Sequence, residues 1–103
     1  MTSSEIEARN LMIKGAELDR IGDTQGALKL CNDTVDKYKK KAAFAYSMIQ
    51  THTMLHPGYD ISPLIKEIDS CIEFFNWLVV NEGLSTMKHN LDVVLSFKNN
   101  NNL

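Results

Sequence analysis

The stretch Ala8-x2-Leu11-x2-Lys14-Gly15-Ala16-x2-Asp19-Arg20-x-Gly22-Asp23-x3-Ala27-Leu28-x-Leu30-x4-Val35 decides the fold. On its N-terminal side, Ala8, Leu11, Met12, Gly15 and Leu18 recur at the spacing of a helix with one buried face. Gly22 supplies the left-handed residue that closes a helix. Asp23 or Thr24 supplies the side-chain oxygen that opens the next. So short a connection makes the two helices antiparallel. Glycine in mid-helix costs about 1 kcal/mol relative to alanine. Gly15 therefore predicts a close backbone approach, with Ala27 on the facing turn, and bulk at Gly15 would push the helices apart.

Working outward, Ser3 or Ser4 is the expected N-cap of helix 1, with Glu5 and Glu7 near the positive end of its dipole. Helix 2 carries the stripe Ala27, Cys31, Thr34, Tyr38, Ala42, Ala45 and Ile49 and meets no proline before His56-Pro57-Gly58. A helix of this length either projects past helix 1 or bends near Lys39-Lys40-Lys41. Helix 3 opens with Ser62 as N-cap and Pro63 at its first position. Its stripe is Ile61, Leu64, Ile65, Ile68, Cys71, Ile72, Phe75, Leu78 and Val79, and Asn81-Glu82-Gly83 is its stop. A fourth helical segment, Leu84 to Phe97, repeats the spacing with Leu84, Met87, Leu91, Val94 and Leu95. The expected fold is all-α: an antiparallel up-down bundle of three long helices with a fourth, C-terminal one. It forms a single domain over residues 1–98, followed by a disordered Asn-rich tail over 99–103.

Composition narrows the function classes. The chain has 103 residues, 44% hydrophobic and 23% charged, which is globular rather than disordered. A net charge of -2 argues against nucleic-acid binding, which needs a basic footprint. The two cysteines, Cys31 and Cys71, fall on apolar helical faces and read as buried free thiols in a reducing compartment. The N-terminal residues lack the features of a signal peptide. The apolar run Trp77-Leu78-Val79-Val80 is too short to span a bilayer. A cytoplasmic address is expected. There is no glycine-rich phosphate loop, no serine nucleophile motif and no carboxylate pair in an apolar context. The expectation is a protein that is not an enzyme and takes no cofactor.

The run Ala8, Leu11, Lys14, Ala16, Asp19, Gly22, Ala27, Leu28, Leu30, Val35 resembles the first helical hairpin of a microtubule-interacting-and-transport (MIT) domain. It is more weakly similar to a single tetratricopeptide repeat through Gly15, Leu18, Ala27 and Cys31, but Lys14 stands where that repeat has a large apolar residue. No second repeat is visible, and a lone repeat is rarely stable. The MIT resemblance covers residues 8–35. It implies a helical bundle that binds short peptide motifs, mostly from membrane-remodelling ESCRT-type proteins, in grooves lined by helix 3. The chain departs from the family in its longer helix 2 and its fourth segment. It also has Glu73-Phe74-Phe75-Asn76-Trp77 where the family has an Arg-Ala-Glu-x-Leu-Lys pattern.

Four groups of residues are candidates for a site. Phe74 and Trp77 lie off the helix 3 stripe, on the side of Ser70 and Asn81, and two aromatics on a nominally polar face could anchor a partner segment. The competing reading has the fourth segment or a second copy covering them. His52 and His56 share one helical face at a zinc-ligand spacing, but Thr53 stands where a general base would be; a polar helix end is the plainer reading, and no metal is expected. Lys37, Lys39, Lys40 and Lys41 form either a solvated face or a surface for an acidic peptide or membrane, the membrane disfavoured by Asp33 and Asp36. The five methionines read as core filler. The leading expectation is a non-catalytic interaction module binding a partner segment in a groove involving helix 3. The alternative is a self-assembling helical accessory protein of bacterial or phage type, acting by sequestration or oligomerisation. A small-molecule pocket between helices 2 and 3 is a third.

Overall fold

The computed structural model describes residues 1–100. It contains α1 (Ser3–Arg20), α2 (Thr24–Leu55), α3 (Ser62–Val80), a 3-10 turn over Ser85–Met87, and α4 (Lys88–Asn100), with no strand among the described residues. Cross-helix contacts fix the directions. Glu7 meets Lys37, Glu67 meets Lys41, and Asp69 meets Lys98, so each helix runs antiparallel to its successor. The expected up-down bundle is the observed one.

Local chemistry sets the helix ends, in places differently from the sequence reading. Thr2, not Ser3 or Ser4, caps α1. Its hydroxyl accepts the Glu5 N–H at 3.2 Å, and Glu5 reaches back to the Thr2 backbone in a capping box. Ser4 instead turns inward and is 4% exposed. Asp23 caps α2 by accepting the Gly26 N–H at 2.9 Å. Gly22 before it has φ +86°, as the left-handed C-cap reading requires. Ser62 lies inside α3, whose N-cap is Ile61; the Asp60 carboxylate accepts the Ser62 N–H at 3.0 Å. α3 stops before Gly83, at φ +64°. At the other end of the chain, α4 continues through Asn99 and Asn100. The boundary expected after residue 98 therefore falls inside a helix, and 101–103 lie outside the described residues.

α2 is one unbroken helix of 32 residues against 18 for α1. At 1.5 Å per residue these span about 48 and 27 Å, so α2 projects past α1 and accounts for the 53 Å long axis of the molecule. Glu7 stands opposite Lys37 and Tyr38, which places the start of α1 about one turn further along, near Lys41.

α3 is the central element, packed against α1, α2 and α4. Its Ile68, Cys71, Phe74 and Phe75 are fully buried and Leu78 is 1% exposed. The core continues into Ala8 and Leu11 of α1, Val35, Tyr38, Ala42, Ala45 and Ile49 of α2, and Leu91 and Val94 of α4. The space between α2 and α3, considered above for a small molecule, is filled by this core. Cys71 donates its thiol to the Tyr38 carbonyl at 3.3 Å, and burial raises its pKa to about 11. Cys31 is only half-buried, and both cysteines are free. Among the methionines, Met12, Met48 and Met87 are half-buried, whereas Met54 is 80% exposed and so is not core filler.

Two tests follow from this packing. Phe74→Ala should destabilise the protein by about 3–5 kcal/mol in urea unfolding, with Trp77→Ala costing clearly less. The Glu7 carboxyl is held below its ordinary value, chiefly by the Tyr38 hydroxyl and then by Lys37. A lowered carboxyl pKa stabilises the fold above pH 4.5, and that contribution disappears as pH falls through the folded value. Glu7→Gln should therefore flatten the acid limb of the stability–pH curve, modestly because the side chain is 41% exposed.

Candidate binding grooves

The face of α3 carrying Ser70, Phe74, Trp77 and Asn81 is not an open surface, because α1 covers most of it. Ser70 shares a hydrogen bond with Ser4 of α1. Phe74 is fully buried, its ring stacked on Tyr38 at 3.9 Å and 5° and edge-on to Phe75 at 5.2 Å. Phe74 is thus a core residue and cannot anchor a partner, which corrects the sequence expectation. The Phe74 ring is covered from within the chain, by Tyr38 of α2 and by Phe75. Trp77 is half-buried and lines a small, polar depression of about 130 Å³ with Glu5, Glu73, Asn76 and Asn81. Asn81 is exposed and closes α3, its N–H donating to the Trp77 carbonyl at 2.9 Å. The four predicted residues share one side of the helix but form no common binding surface.

A signal for this was present in the chain. Ile68, Cys71, Ile72, Phe74, Phe75, Trp77, Leu78, Val79 and Val80 leave α3 apolar around most of its circumference. A helix of that kind is enclosed on several sides rather than along one stripe.

Open apolar space lies elsewhere. One groove, of about 400 Å³, is bounded by Leu11, Met12, Gly15, Ala16 and Asp19 of α1, by Thr24, Ala27, Leu28 and Cys31 of α2, and by Leu84, Thr86 and Met87 after α3. Leu28 is 52% exposed on its wall. Gly15 also lines it, and a Cβ built there meets nothing within 4 Å. The close approach expected between Gly15 and Ala27 is therefore absent: both residues border open space. The tight position is Gly26, where a Cβ would collide with the capping carboxylate of Asp23.

A second groove, of about 250 Å³, lies between α2 and α4, lined by Lys39, Lys40, Ala43, Asn90, Val93, Val94 and Phe97. Helical geometry divides the lysine run. Lys37 pairs with Glu7 at 2.9 Å and Lys41 with Glu67 at 3.2 Å. Lys39 and Lys40 are exposed on the groove and have no ion-pair partner among the described residues.

At the far end of α2, the His52 ring stacks on Tyr59 at 3.9 Å and lies 5.8 Å from His56. Among the described residues, no group of three or more His, Cys, Asp or Glu side chains is placed to hold a metal. No described helix is long and apolar enough to cross a membrane.

Since nothing packs over Gly15, Gly15→Ala should raise stability by up to about 1 kcal/mol through helix propensity alone, measured by thermal unfolding. A loss of stability would restore the close-approach reading. Compared with known proteins, the chain matches no family model, no curated protein and no solved structure.

Proposed function

We propose that this chain is a non-catalytic interaction module holding a short apolar segment of a partner protein in the groove between α1, α2 and residues 84–87. The observation that carries this reading is the groove itself: about 400 Å³, walled mainly by Leu11, Met12, Ala27, Leu28, Leu84 and Met87. Leu28 is 52% exposed there, an apolar contact left to solvent on a wall that a partner side chain would cover. Resemblance of residues 8–35 to the MIT hairpin supports the same class, since those domains bind short motifs between helices. The groove expected along helix 3 is relocated to the hairpin, because α1 occupies the helix 3 face.

Cys31 makes the groove testable. Short peptides selected from a displayed library should slow alkylation of the groove-lining Cys31 while the buried Cys71 stays unreactive throughout. Leu28→Glu should weaken those peptides about ten-fold or more, with an unchanged melting temperature. Peptides that leave Cys31 equally reactive and bind Leu28→Glu as well as wild type would overturn the reading.

A second reading, self-association, draws on a different surface. Phe44 and Leu55, each 66% exposed, lie with Met48 and Thr51 at helical spacing on the part of α2 beyond α1. Sedimentation equilibrium of wild type against Phe44→Glu distinguishes the two: a dimer lost in the variant favours self-association.

A further inference from the structure

We propose that the groove between α2 and α4 is a second docking site, for an acidic amphipathic helical segment of a partner protein. The inference rests on the reading of the chain as an interaction module but uses a different surface. The floor of the groove is apolar, formed by Ala43, Val93, Val94 and Phe97, and its rim carries Lys39 and Lys40. Phe97 is fixed from below by its stack on Tyr46, at 4.7 Å and 27°.

Charge decides the occupant. Lys37 and Lys41 of the same helix are each engaged by a carboxylate of a neighbouring helix. Lys39 and Lys40 are exposed and engage none among the described residues. An apolar trough with two uncommitted cations on its lip is complementary to an apolar side chain flanked by carboxylates. At about 250 Å³ the trough is below the roughly 300–1,000 Å³ typical of a small-molecule site, and it suits one or two side chains of a docked helix. A flat anionic membrane fits less well. The groove is concave, a shape that a single docked helix fills and a flat surface does not.

The test is a selection from a displayed peptide library on wild-type protein and on Leu28→Glu, which disables the first groove only. The expected peptides are rich in Glu and Asp around Leu or Phe. They bind both proteins equally, weaken with added salt, and shift the amide resonances of Val93, Val94 and Phe97. Lys39→Glu with Lys40→Glu should weaken them about ten-fold or more, and the Lys39→Gln, Lys40→Gln pair by an intermediate factor. Circular dichroism of each variant should match wild type, showing that these exposed substitutions leave the helices intact. Peptides without acidic enrichment, or no selected peptide at this groove, overturn the proposal. Peptides lost only in Leu28→Glu overturn it while leaving the first groove standing. Co-sedimentation with phosphatidylserine vesicles that depends on Lys39 and Lys40, in place of peptide binding, assigns the lysines to a membrane and also overturns it.

Discussion

Tyr38 is the point at which three helices are fastened together. Its ring stacks face to face on Phe74 of α3 at 3.9 Å, its hydroxyl donates to Glu7 of α1 at 2.6 Å, and its carbonyl accepts the Cys71 thiol. Lys37 and Lys41 sit one turn apart on α2, one position before and three positions after Tyr38, with their ammonium groups 5.6 and 5.5 Å from its ring. They lie within reach of a cation–π attraction. The same two lysines pair with Glu7 and Glu67, so α1 and α3 are clamped to α2 on either side of one aromatic ring. Burial, and then the bond to Glu7, push the Tyr38 phenol well above its ordinary value. The neutral phenol is the form this junction holds. Dispersion and hydrophobic burial supply most of the attraction here, and the polar contacts choose which helix faces meet.

Much of this fold was legible in the residues because the signals were local. Gly22 and Asp23 marked a corner whose geometry follows from backbone sterics and capping, and His56-Pro57 ended a helix that nothing else interrupted. The errors were of another kind. Ser3, Ser4 and Ser62 each looked like a cap by residue type alone. Thr2 won at α1 because Glu5 lies at the spacing for a reciprocal box, and Ser4 was drawn inward by Ser70. Phe74 was misplaced because a single-stripe reading gives a helix one buried face. α3 is buried on more than one, and only the tertiary arrangement reveals which neighbour covers each.

Gly15 illustrates a subtler limit. A glycine in mid-helix suggested close packing, yet its Cβ position is open and it borders the hairpin groove. The propensity cost was real evidence of something special at that turn, but sequence could not distinguish a residue kept small for contact from one beside empty space. Neighbouring Ala16 and Ala27 line the same groove. Small side chains therefore shape the hairpin in two senses. Ala8, Ala42 and Ala45 are enclosed by the core, while Gly15, Ala16 and Ala27 leave a channel along the outside of the same hairpin.

Unequal helix lengths explain why the surface has more than one groove. A 32-residue α2 carries an 18-residue α1 and a 13-residue α4, and neither partner can cover its whole length. α1 covers the N-terminal half, and α4 lies against the stretch that includes Ala43 and Tyr46. The lysine run falls where these regimes meet, and a rotation of about 100° per residue distributes its four cations between them. Positions 37 and 41 point toward carboxylates on α1 and α3, whereas 39 and 40 point toward the α2–α4 trough. Composition registers only a block of like charge. Helical phase converts that block into two cations paired across the bundle and two that stay exposed with no ion-pair partner among the described residues.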